Sequence, residues 1–230
     1  MAKKKTSRVI SCWVSKLRYL SNSRISILSS KLKKSILKIR KGCNIQFNEA
    51  TISKSSLKLS GECNAQINGE LYKCIVDISG KNNELLIENG CNLRNLTIII
   101  KGNSCTVKIK KNTSSNGGCI VCMGKANHVH IGESCMFADN VDIWASDTHP
   151  IFNENNELIN PSAPIDIEDN VWIGRHGKVL KGVCIQEGAV IGMGSIVTRN
   201  ILAHSLNVGA PAKCIKNNIT WNRGCIADFE

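Results

Sequence analysis

A spacing of six residues between aliphatic side chains runs through the C-terminal half of the sequence. A small residue often follows the aliphatic one, as in Gly132, Ala138, Gly174 and Gly192. The in-phase positions are Ile131, Phe137, Ile143, Ile167, Ile173, Val179, Ile185, Ile191, Val197 and Ala203. An α-helix repeats every 3.6 residues and cannot produce this spacing, and the simple alternation of a β-sandwich would not place glycines so regularly. The pattern predicts stacked coils of six-residue strand-and-turn units, with the repeated aliphatic side chain pointing inward. We expect the glycine that follows it to adopt a backbone geometry closed to other residues.

The segment before these repeats has related but less regular chemistry. Similar turn tripeptides recur at 42–44, 62–64, 90–92, 103–105 and 133–135, and each contains a cysteine. The six-residue spacing is faint here, at Ile87, Leu93, Ile99 and Cys105. We therefore expect irregular coils over residues 42–130, regular repeats over 131–214 and a C-terminal tail over 215–230.

The repeat is interrupted once. From Asp147 to about Ala163 the six-residue code is lost, and the sequence there is polar and contains His149 and two prolines. This predicts a loop, 147–163, that projects from an otherwise rigid stack. Long loops in compact domains are often functional.

The charge of the chain is concentrated at its N-terminus. The net charge is +12, and residues 1–41 hold 13 Lys and Arg and no acidic residue. The rest of the chain has a net charge of −1, so we expect no nucleic-acid groove in the body. Apolar residues spaced three and four apart predict amphipathic helices over 8–20 and 24–40. The stripe residues are Ile10, Trp13, Leu17 and Leu20 in the first helix, and Ile25, Leu28, Leu32, Ile36 and Ile39 in the second.

Three roles are open for this basic arm, residues 1–41. It can cap the end of the stack, hold the chain at an anionic membrane surface, or attract a polyanionic substrate. The sequence has no apolar run of membrane-spanning length and no signal-peptide pattern, so we expect a cytoplasmic chain, with the arm offering peripheral contact to the inner face of the membrane. The 12 Cys are then expected to be thiols that pack as small apolar side chains.

The repeats and five further segments resemble the hexapeptide-repeat acyltransferases. Those segments are 147–151 (DTHPI), 170–174 (NVWIG), 180–183 (LKGV), 194–199 (GSIVTR) and 209–213 (GAPAK). The resemblance covers about residues 85–223. The basic arm, the Cys- and Asn-rich coils and the tail 218–223 look most like bacterial capsular polysaccharide O-acetyltransferases of the polysialic acid type. The resemblance implies an all-β fold, namely a left-handed parallel β-helix, and a homotrimer with active sites between subunits.

The resemblance also implies an activity and a site. The expected reaction is transfer of an acetyl group from acetyl-CoA to a hydroxyl of a glycan acceptor. By the resemblance His149 is the general base, and Trp172 lies beside the thioester. The residues implied to contact the coenzyme are Trp172, Arg175, Met193, Thr198, Arg199 and Lys213. A neutral imidazole suits proton removal from a sugar hydroxyl. Asp147 can orient the ring or stabilise its charge, and a backbone carbonyl could do so equally well. We also expect Asp147 to lie on the acceptor side of the site and to contact the substrate.

Other interpretations of the same residues lead elsewhere. Cys119 and Cys122 form a lone C-x-x-C, which is weak evidence for redox chemistry or zinc. His128 and His130 supply only two imidazoles on one face, so we expect no metal. The alternative functions are N-acetylation of a nucleotide-linked amino sugar and a non-catalytic β-helix module for assembly.

Overall fold

The structure, a computed structural model, describes residues 12–19, 23–40 and 42–229. These residues form 24 strands and one short 3-10 helix, Ile226–Asp228. The strands are β1 (Cys12–Tyr19), β2 (Arg24–Leu28), β3 (Lys31–Ile39), β4 (Asn44–Asn48), β5 (Thr51–Ser53), β6 (Ser56–Ile67), β7 (Glu70–Tyr72), β8 (Ile75–Ile87), β9 (Asn92–Arg94), β10 (Leu96–Asn103), β11 (Thr106–Ile109), β12 (Ser114–Ser115), β13 (Gly118–Lys125), β14 (His128–Ile131), β15 (Met136–Phe137), β16 (Val141–Trp144), β17 (Ile165–Ile167), β18 (Trp172–Ile173), β19 (Lys178–Leu180), β20 (Cys184–Ile185), β21 (Val190–Ile191), β22 (Ile196–Val197), β23 (Ser205–Val208) and β24 (Lys213–Asn217). Among the described residues, no helix has the length and apolar character needed to cross a membrane.

The strands stack into three parallel sheets, called faces A, B and C, that meet at three rows of corners. Face A contains β5, β7, β9, β12, β15, β18 and β21. Face B contains β10, β13, β16, β19 and β22, and face C contains β2, β4, β11, β14, β17 and β20. The long strands β1, β3, β6 and β8 bend over a corner and belong to two faces. The predicted parallel β-helix is confirmed.

The six-residue spacing corresponds to one side of each coil. Nine of the ten in-phase side chains are buried, and so is each small or β-branched residue four positions later: Cys135, Val141, Val171, Val183, Ala189 and Ser195. The exception is Ala203, which is exposed, because Ile201 has taken the inward position and pairs with Ile185. The faint earlier spacing fails at Ile99, which points outward between the buried Ile98 and Ile100. Corners in those coils contain extra residues, so the inward side chains no longer recur every six residues.

The glycines that follow the inward aliphatics serve a purpose other than the one expected. We expected them to adopt a backbone geometry closed to other residues, but Gly132, Gly174 and Gly192 do not have positive φ. They are needed because the next coil lies too close for a side chain. A Cβ on Gly174 would lie 2.8 Å from the backbone nitrogen of Met193, and one on Gly192 would lie 2.6 Å from a methyl of Val208.

A second set of glycines does have positive φ and forms a column at the corner between faces B and C. Its members are Gly42, Gly61, Gly80, Gly102 and Gly124. A Cβ on Gly61, Gly80 or Gly102 would collide with the carbonyl oxygen of the next glycine in the column. Next to this column lie Cys43, Cys63, Asn83, Cys105 and Asn127, all buried. The asparagine side chains bridge coils: the Asn83 amide donates to Gly102 O at 3.0 Å, and its oxygen accepts from Cys105 N at 2.8 Å.

The prediction of two helices in the arm is wrong for the residues that the structure describes. Residues 12–19, 24–28 and 31–39 are strands β1, β2 and β3, which pair with the coils that follow. Corners contribute to the error: Ser29 and Lys34 have positive φ and restart the in–out alternation, so the buried Leu32 and Ser35 lie three residues apart instead of two. Leu28 and Ile36, assigned to one helical stripe, are not buried, whereas Ser35 and Leu37 are. Residues 8–11 and 20 of the first predicted helix, and 1–11 of the arm, lie outside the described residues.

The cysteines behave as expected where they are described. Eleven are free thiols, seven of them buried: Cys43, Cys63, Cys74, Cys91, Cys105, Cys122 and Cys135. Burial raises the pKa of the Cys63 thiol to about 12 and that of Cys135 to about 11, so both stay protonated. Cys119 is half-buried and lies in register with Asp142, whereas Cys122 is buried in the core.

The C-terminal end of the stack is closed by the tail. Strand β24 runs antiparallel to β23, and the chain then returns along face A toward earlier coils. There Arg223 donates to the carbonyls of Asn112, Ser134 and Cys135 at 2.7–3.2 Å. The Trp221 indole donates to Asn170 O at 2.7 Å.

Candidate active site

The predicted loop leaves the stack at the corner between faces B and C. It begins after β16 and returns at β17, and its two ends are joined by a hydrogen bond from Ala163 N to Ala145 O at 3.2 Å. The corner below it belongs to the glycine column: Gly124 lies against Ser162, and the Asn127 amide donates to Ala145 O at 2.9 Å. The loop therefore projects from a fixed base.

Three side chains hold that base. The Asn160 amide donates to Asp147 Oδ2 and to the backbone oxygen of His149, both at 2.9 Å. Lys181, from the next coil, pairs with the same Asp147 oxygen and donates to Asn160 O at 3.0 Å. Asn160 Oδ1 in turn accepts from Ile151 N at 2.6 Å. Both strands of the loop are thus tied to one another and to β19.

This arrangement sets the charge of Asp147. Its hydrogen bond from Lys181, together with that from Asn160 and the nearby ammonium charge, holds the pKa of the carboxyl below its usual value. Asp147 is therefore ionised at neutral pH and committed to the loop base. We predicted Asp147 on the acceptor side of the site, and the structure shows its carboxylate engaged by Lys181 and Asn160.

His149 stands just above this base. Its N–H donates to Asp147 O at 2.8 Å, and the preceding Thr148 has a φ of 65°, so the chain turns sharply as it presents the histidine. The side chain is exposed, and no hydrogen bond to its ring is formed within the described part of the chain. The backbone, rather than the Asp147 carboxylate, orients the residue.

Trp172 lies elsewhere, on the outer surface of face A. It is 36% exposed and in register with Met136 and Val190. The resemblance implies the thioester of the acyl donor as a partner of this indole. In this chain the tail supplies one: the rings of Trp172 and Trp221 lie 5.9 Å apart, tilted by 45°.

The other residues expected to contact the coenzyme fall into two groups. Arg175 and Met193 are exposed at the corner between faces A and B, where Gly194 N donates to Arg175 O at 2.8 Å. Lys213 begins β24, and its neighbour Ala212 donates to Ile196 O at 2.8 Å at the start of face B. Thr198 and Arg199 lie at the other edge of face B, directly after β22.

Within a single chain, His149, the expected general base, therefore lies far from many of the residues expected to bind the coenzyme. His149, Lys181 and Arg199 share the B–C corner, whereas Arg175 and Met193 lie at the A–B corner. Between the corners runs the width of face B, roughly 10 Å for a three-residue strand. Trp172 lies beyond, on face A.

The loop also carries an apolar tip. Four large side chains are at least 50% exposed there: Ile151, Phe152, Leu158 and Ile159. Phe152 and Leu158 face each other in an antiparallel bridge. An exposed apolar cluster of this kind is typical of a surface that a partner covers.

Sequence reasoning missed four residues of this region. Asn160 and Lys181 hold the loop, Trp221 covers Trp172, and Asp166 faces His128 and His130 from the next coil. The signal for Lys181 was available, since it lies one coil, or three six-residue repeats, after the end of the loop. The contacts of Trp221 and Asp166 depend on how the tail and the coils stack.

No protein-family profile matches the chain. A polysialic acid O-acetyltransferase of Escherichia coli O1:K1 / APEC is 37% identical over 118 residues, which is 51% of this chain and 38% of that protein. The chain spans about half or less of the length of the curated relatives it matches, 42% and 54% for two of them. Among solved structures, the polySia-specific acetyltransferase NeuO is 28% identical with a TM-score of 0.57, covering 95% of this chain and 94% of that one. The polysialic acid O-acetyltransferase OatWY is 25% identical with a TM-score of 0.68, covering 91% and 92%.

The fold, the repeat and these similarities support assignment of the chain to the hexapeptide-repeat acyltransferases, whose fold is the left-handed parallel β-helix. The chain is similar over more than nine tenths of its length to two polysialic acid O-acetyltransferases.

Proposed function

We propose that the chain is an acetyl-CoA-dependent O-acetyltransferase that acts on hydroxyl groups of a bacterial capsular or surface glycan. The observation that carries the proposal is the fixed loop presenting His149 from a stack that is similar, along almost its whole length, to two polysialic acid O-acetyltransferases. Polysialic acid is accordingly the first acceptor to test. Because acetyl-CoA is the donor, we place the activity in the cytoplasm.

In the proposed reaction His149 acts as the general base. A neutral imidazole takes the proton of the acceptor hydroxyl while that oxygen bonds to the acetyl carbonyl carbon. The carbon–sulfur bond then breaks, and the imidazolium returns the proton to the departing thiolate. The products are an acetyl ester and free coenzyme A. Lys181, Asn160 and Asp147 touch no reacting atom in this scheme and serve to position the base.

The coenzyme would be held by the residues around both edges of face B. Arg175, Arg199 and Lys213 supply cations for its phosphates, and Trp172 and Met193 supply exposed apolar surface for the pantetheine arm and thioester. Thr198 adds a hydroxyl beside Arg199. These side chains are solvent-exposed or nearly so, which suits a ligand lying along the outside of the stack.

The separation of the two groups favours a homotrimer. With His149 at one corner and Trp172 on another face, a neighbouring copy can bring the base of one chain beside the coenzyme residues of the next. The exposed apolar tip of the loop gives such a neighbour a surface to cover. We therefore place the active sites between subunits, as the resemblance implies.

The basic N-terminal coils fit a polyanionic acceptor. Arg24, Lys31, Lys33, Lys34, Lys38 and Arg40 all occupy exposed positions on the first coils. Their field would concentrate a sialic acid polymer near the enzyme and would weaken as salt rises. Strands β1, β2 and β3 replace the amphipathic helices expected over residues 12–19 and 24–39, so peripheral membrane contact would rest on the basic charges alone. These strands form the first coils of the stack, so a capping role would belong to the stack itself.

The test is an acceptor panel with free coenzyme A as the readout. Purified protein and acetyl-CoA are incubated with polysialic acid, with a neutral capsular polysaccharide, and with nucleotide-linked amino sugars. Release of coenzyme A that requires a polysaccharide and His149 supports the proposal. Release with amino-sugar nucleotides alone would establish the N-acetyltransferase instead, and no acetyl-CoA binding at all would favour a non-catalytic module.

A further inference from the structure

Face C carries a compact cluster of ligand-type side chains away from the loop. His128 and His130 alternate outward along β14, and Asp166 lies on β17 of the next coil, in register with His130. His128 Nε2 is 3.2 Å from both carboxylate oxygens of Asp166, and His130 Nδ1 is 3.4 Å from Oδ1. The two imidazoles stack, with ring centres 4.1 Å apart and planes inclined by 17°.

The spacing of the donor atoms suits a small divalent ion. One nitrogen of each histidine and one oxygen of Asp166 all lie within 4.8 Å of one another. Zinc bound to nitrogen and oxygen at about 2.0–2.2 Å in a tetrahedron has ligand atoms about 3.3 Å apart. The two histidine–aspartate distances match that separation, so modest side-chain rotation would complete the arrangement.

All three side chains are partly buried and partly exposed, so an ion can reach the cluster from solvent. Around the cluster lies a shallow cleft lined on one side by Glu168, Asp169 and Glu187 and on the other by Lys108 and Lys110.

We propose that His128, His130 and Asp166 bind one divalent first-row transition-metal ion, with zinc as the ion to test and solvent completing its coordination. The ion would join β14 to β17 immediately after the loop re-enters the stack, and so would fix the outgoing end of the loop that presents His149. We expected no metal from the sequence because it showed only two imidazoles on one strand. The third proposed ligand, Asp166, lies 36 residues after His130 in the chain.

The experiment measures zinc binding directly, without coenzyme or acceptor, so that its result is independent of the proposed activity. The full chain is stripped of metal with a chelator, then titrated with Zn²⁺ in competition with a chromophoric chelator. Co²⁺ substitution gives a visible spectrum that reports nitrogen and oxygen ligands. We expect one ion per chain, a Tm raised by zinc, and affinity reduced on the order of 100-fold or more in His130→Gln and Asp166→Asn.

His204→Gln serves as the matched control, since His204 is an exposed histidine at a different corner. Its affinity for zinc should stay within a few-fold of the parent. Asp166→Asn preserves the size of the side chain, so it keeps the test valid if a histidine variant folds poorly. Zinc binding that is absent in the parent, or equally strong in Asp166→Asn and His130→Gln, would overturn the proposal.

Discussion

His149 owes its position to three side chains that never touch its ring. Asn160 binds the backbone oxygen of His149, and Lys181 and Asn160 together hold Asp147 two residues before it. A general base is effective only when held within hydrogen-bonding reach of its proton. Asn160, Lys181 and Asp147, which hold the foot of the loop, are therefore as much a part of the proposed site as the imidazole.

The first prediction concerns the imidazole. His149→Ala should lower kcat by about 10²–10⁴, the usual effect of a lost general base, while coenzyme binding and Tm stay unchanged. His204→Ala is the matched control, because His204 is likewise exposed but lies at the corner between faces C and A, away from the proposed coenzyme residues. Steady-state kinetics and calorimetric titration with coenzyme A measure both. Equal turnover in His149→Ala and the parent would mean that the base lies elsewhere.

The second prediction concerns Lys181. Because Lys181 lowers the pKa of Asp147, the ion pair stabilises the folded loop above about pH 4, the ordinary pKa of aspartate, and is lost as pH falls through the lowered folded value. Lys181→Met should raise the Asp147 pKa toward its ordinary value and lower kcat. Carboxylate NMR titration and activity assays check these two effects.

Lys178→Met is the control for that variant. Lys178 pairs with Asp142 at 2.7 Å on face B, a similar exposed ion pair without contact to the loop. It should leave both the Asp147 titration and kcat near those of the parent. If the two lysine variants behave alike, the loop base has no positioning role.

Sequence reasoning identified His149 but could not identify its supports. A histidine inside a break of the repeat stands out, and the family resemblance gave it a role. Asn160 lies 11 residues away within the loop, and its contacts depend on how the loop folds back. Asp166 pairs with His130 only because a loop of unpredictable path still returns in register.

At the scale of the element, the length of each side and corner of a coil explains why the regular repeats were predicted correctly and the first strands were not. Where each side is six residues long, inward positions recur without slippage, as from Ile131 to Val197. Where corners carry an extra residue, the alternation restarts out of phase. In residues 24–39 this restart imitates helical spacing, and the absence of acidic residues reinforced the impression of a separate arm. Parallel pairing with the next coil, which no local pattern reveals, decides for strand.

The third prediction tests the glycine column. Gly102 has a φ of 133°, and a Cβ there would collide with the carbonyl of Gly124 in the next coil. Gly102→Ala should therefore lower the free energy of unfolding by about 3 kcal/mol or more. Gly194 has a φ of 70° but no atom within 4 Å of the added Cβ, so Gly194→Ala should cost only about 1 kcal/mol. Denaturant unfolding of both variants measures the difference, and equal losses would show that inter-coil contact is unimportant at this corner.

At the scale of the whole molecule, the three faces distribute the chemistry. The proposed base lies at one corner, the coenzyme residues lie on both sides of face B, and the His–Asp cluster lies on face C. The basic surface is confined to the first coils. Because the stack of coils is rigid, the corner that carries His149 cannot approach the other corner and face of the same chain. The proposed site therefore requires a second copy of the chain.

The fourth prediction follows from that requirement. The protein should sediment as a trimer, and Phe152→Ser with Leu158→Ser should weaken the trimer and reduce activity together, because these side chains form the exposed tip of the loop. Leu202→Ser changes an equally exposed leucine at another corner and should do neither. Sedimentation velocity over a range of concentrations is the measurement. A parent protein that is monomeric and fully active would rule out a site between subunits.

The most direct test of the account is mass spectrometry of polysialic acid after incubation with the protein and isotopically labelled acetyl-CoA. We expect labelled acetyl esters on the polymer, released by mild base, with the parent protein and with His204→Ala. We expect at least a hundredfold fewer with His149→Ala. If the parent protein binds acetyl-CoA but leaves polysialic acid and other capsular glycans unlabelled, the proposed O-acetylation of a glycan is contradicted.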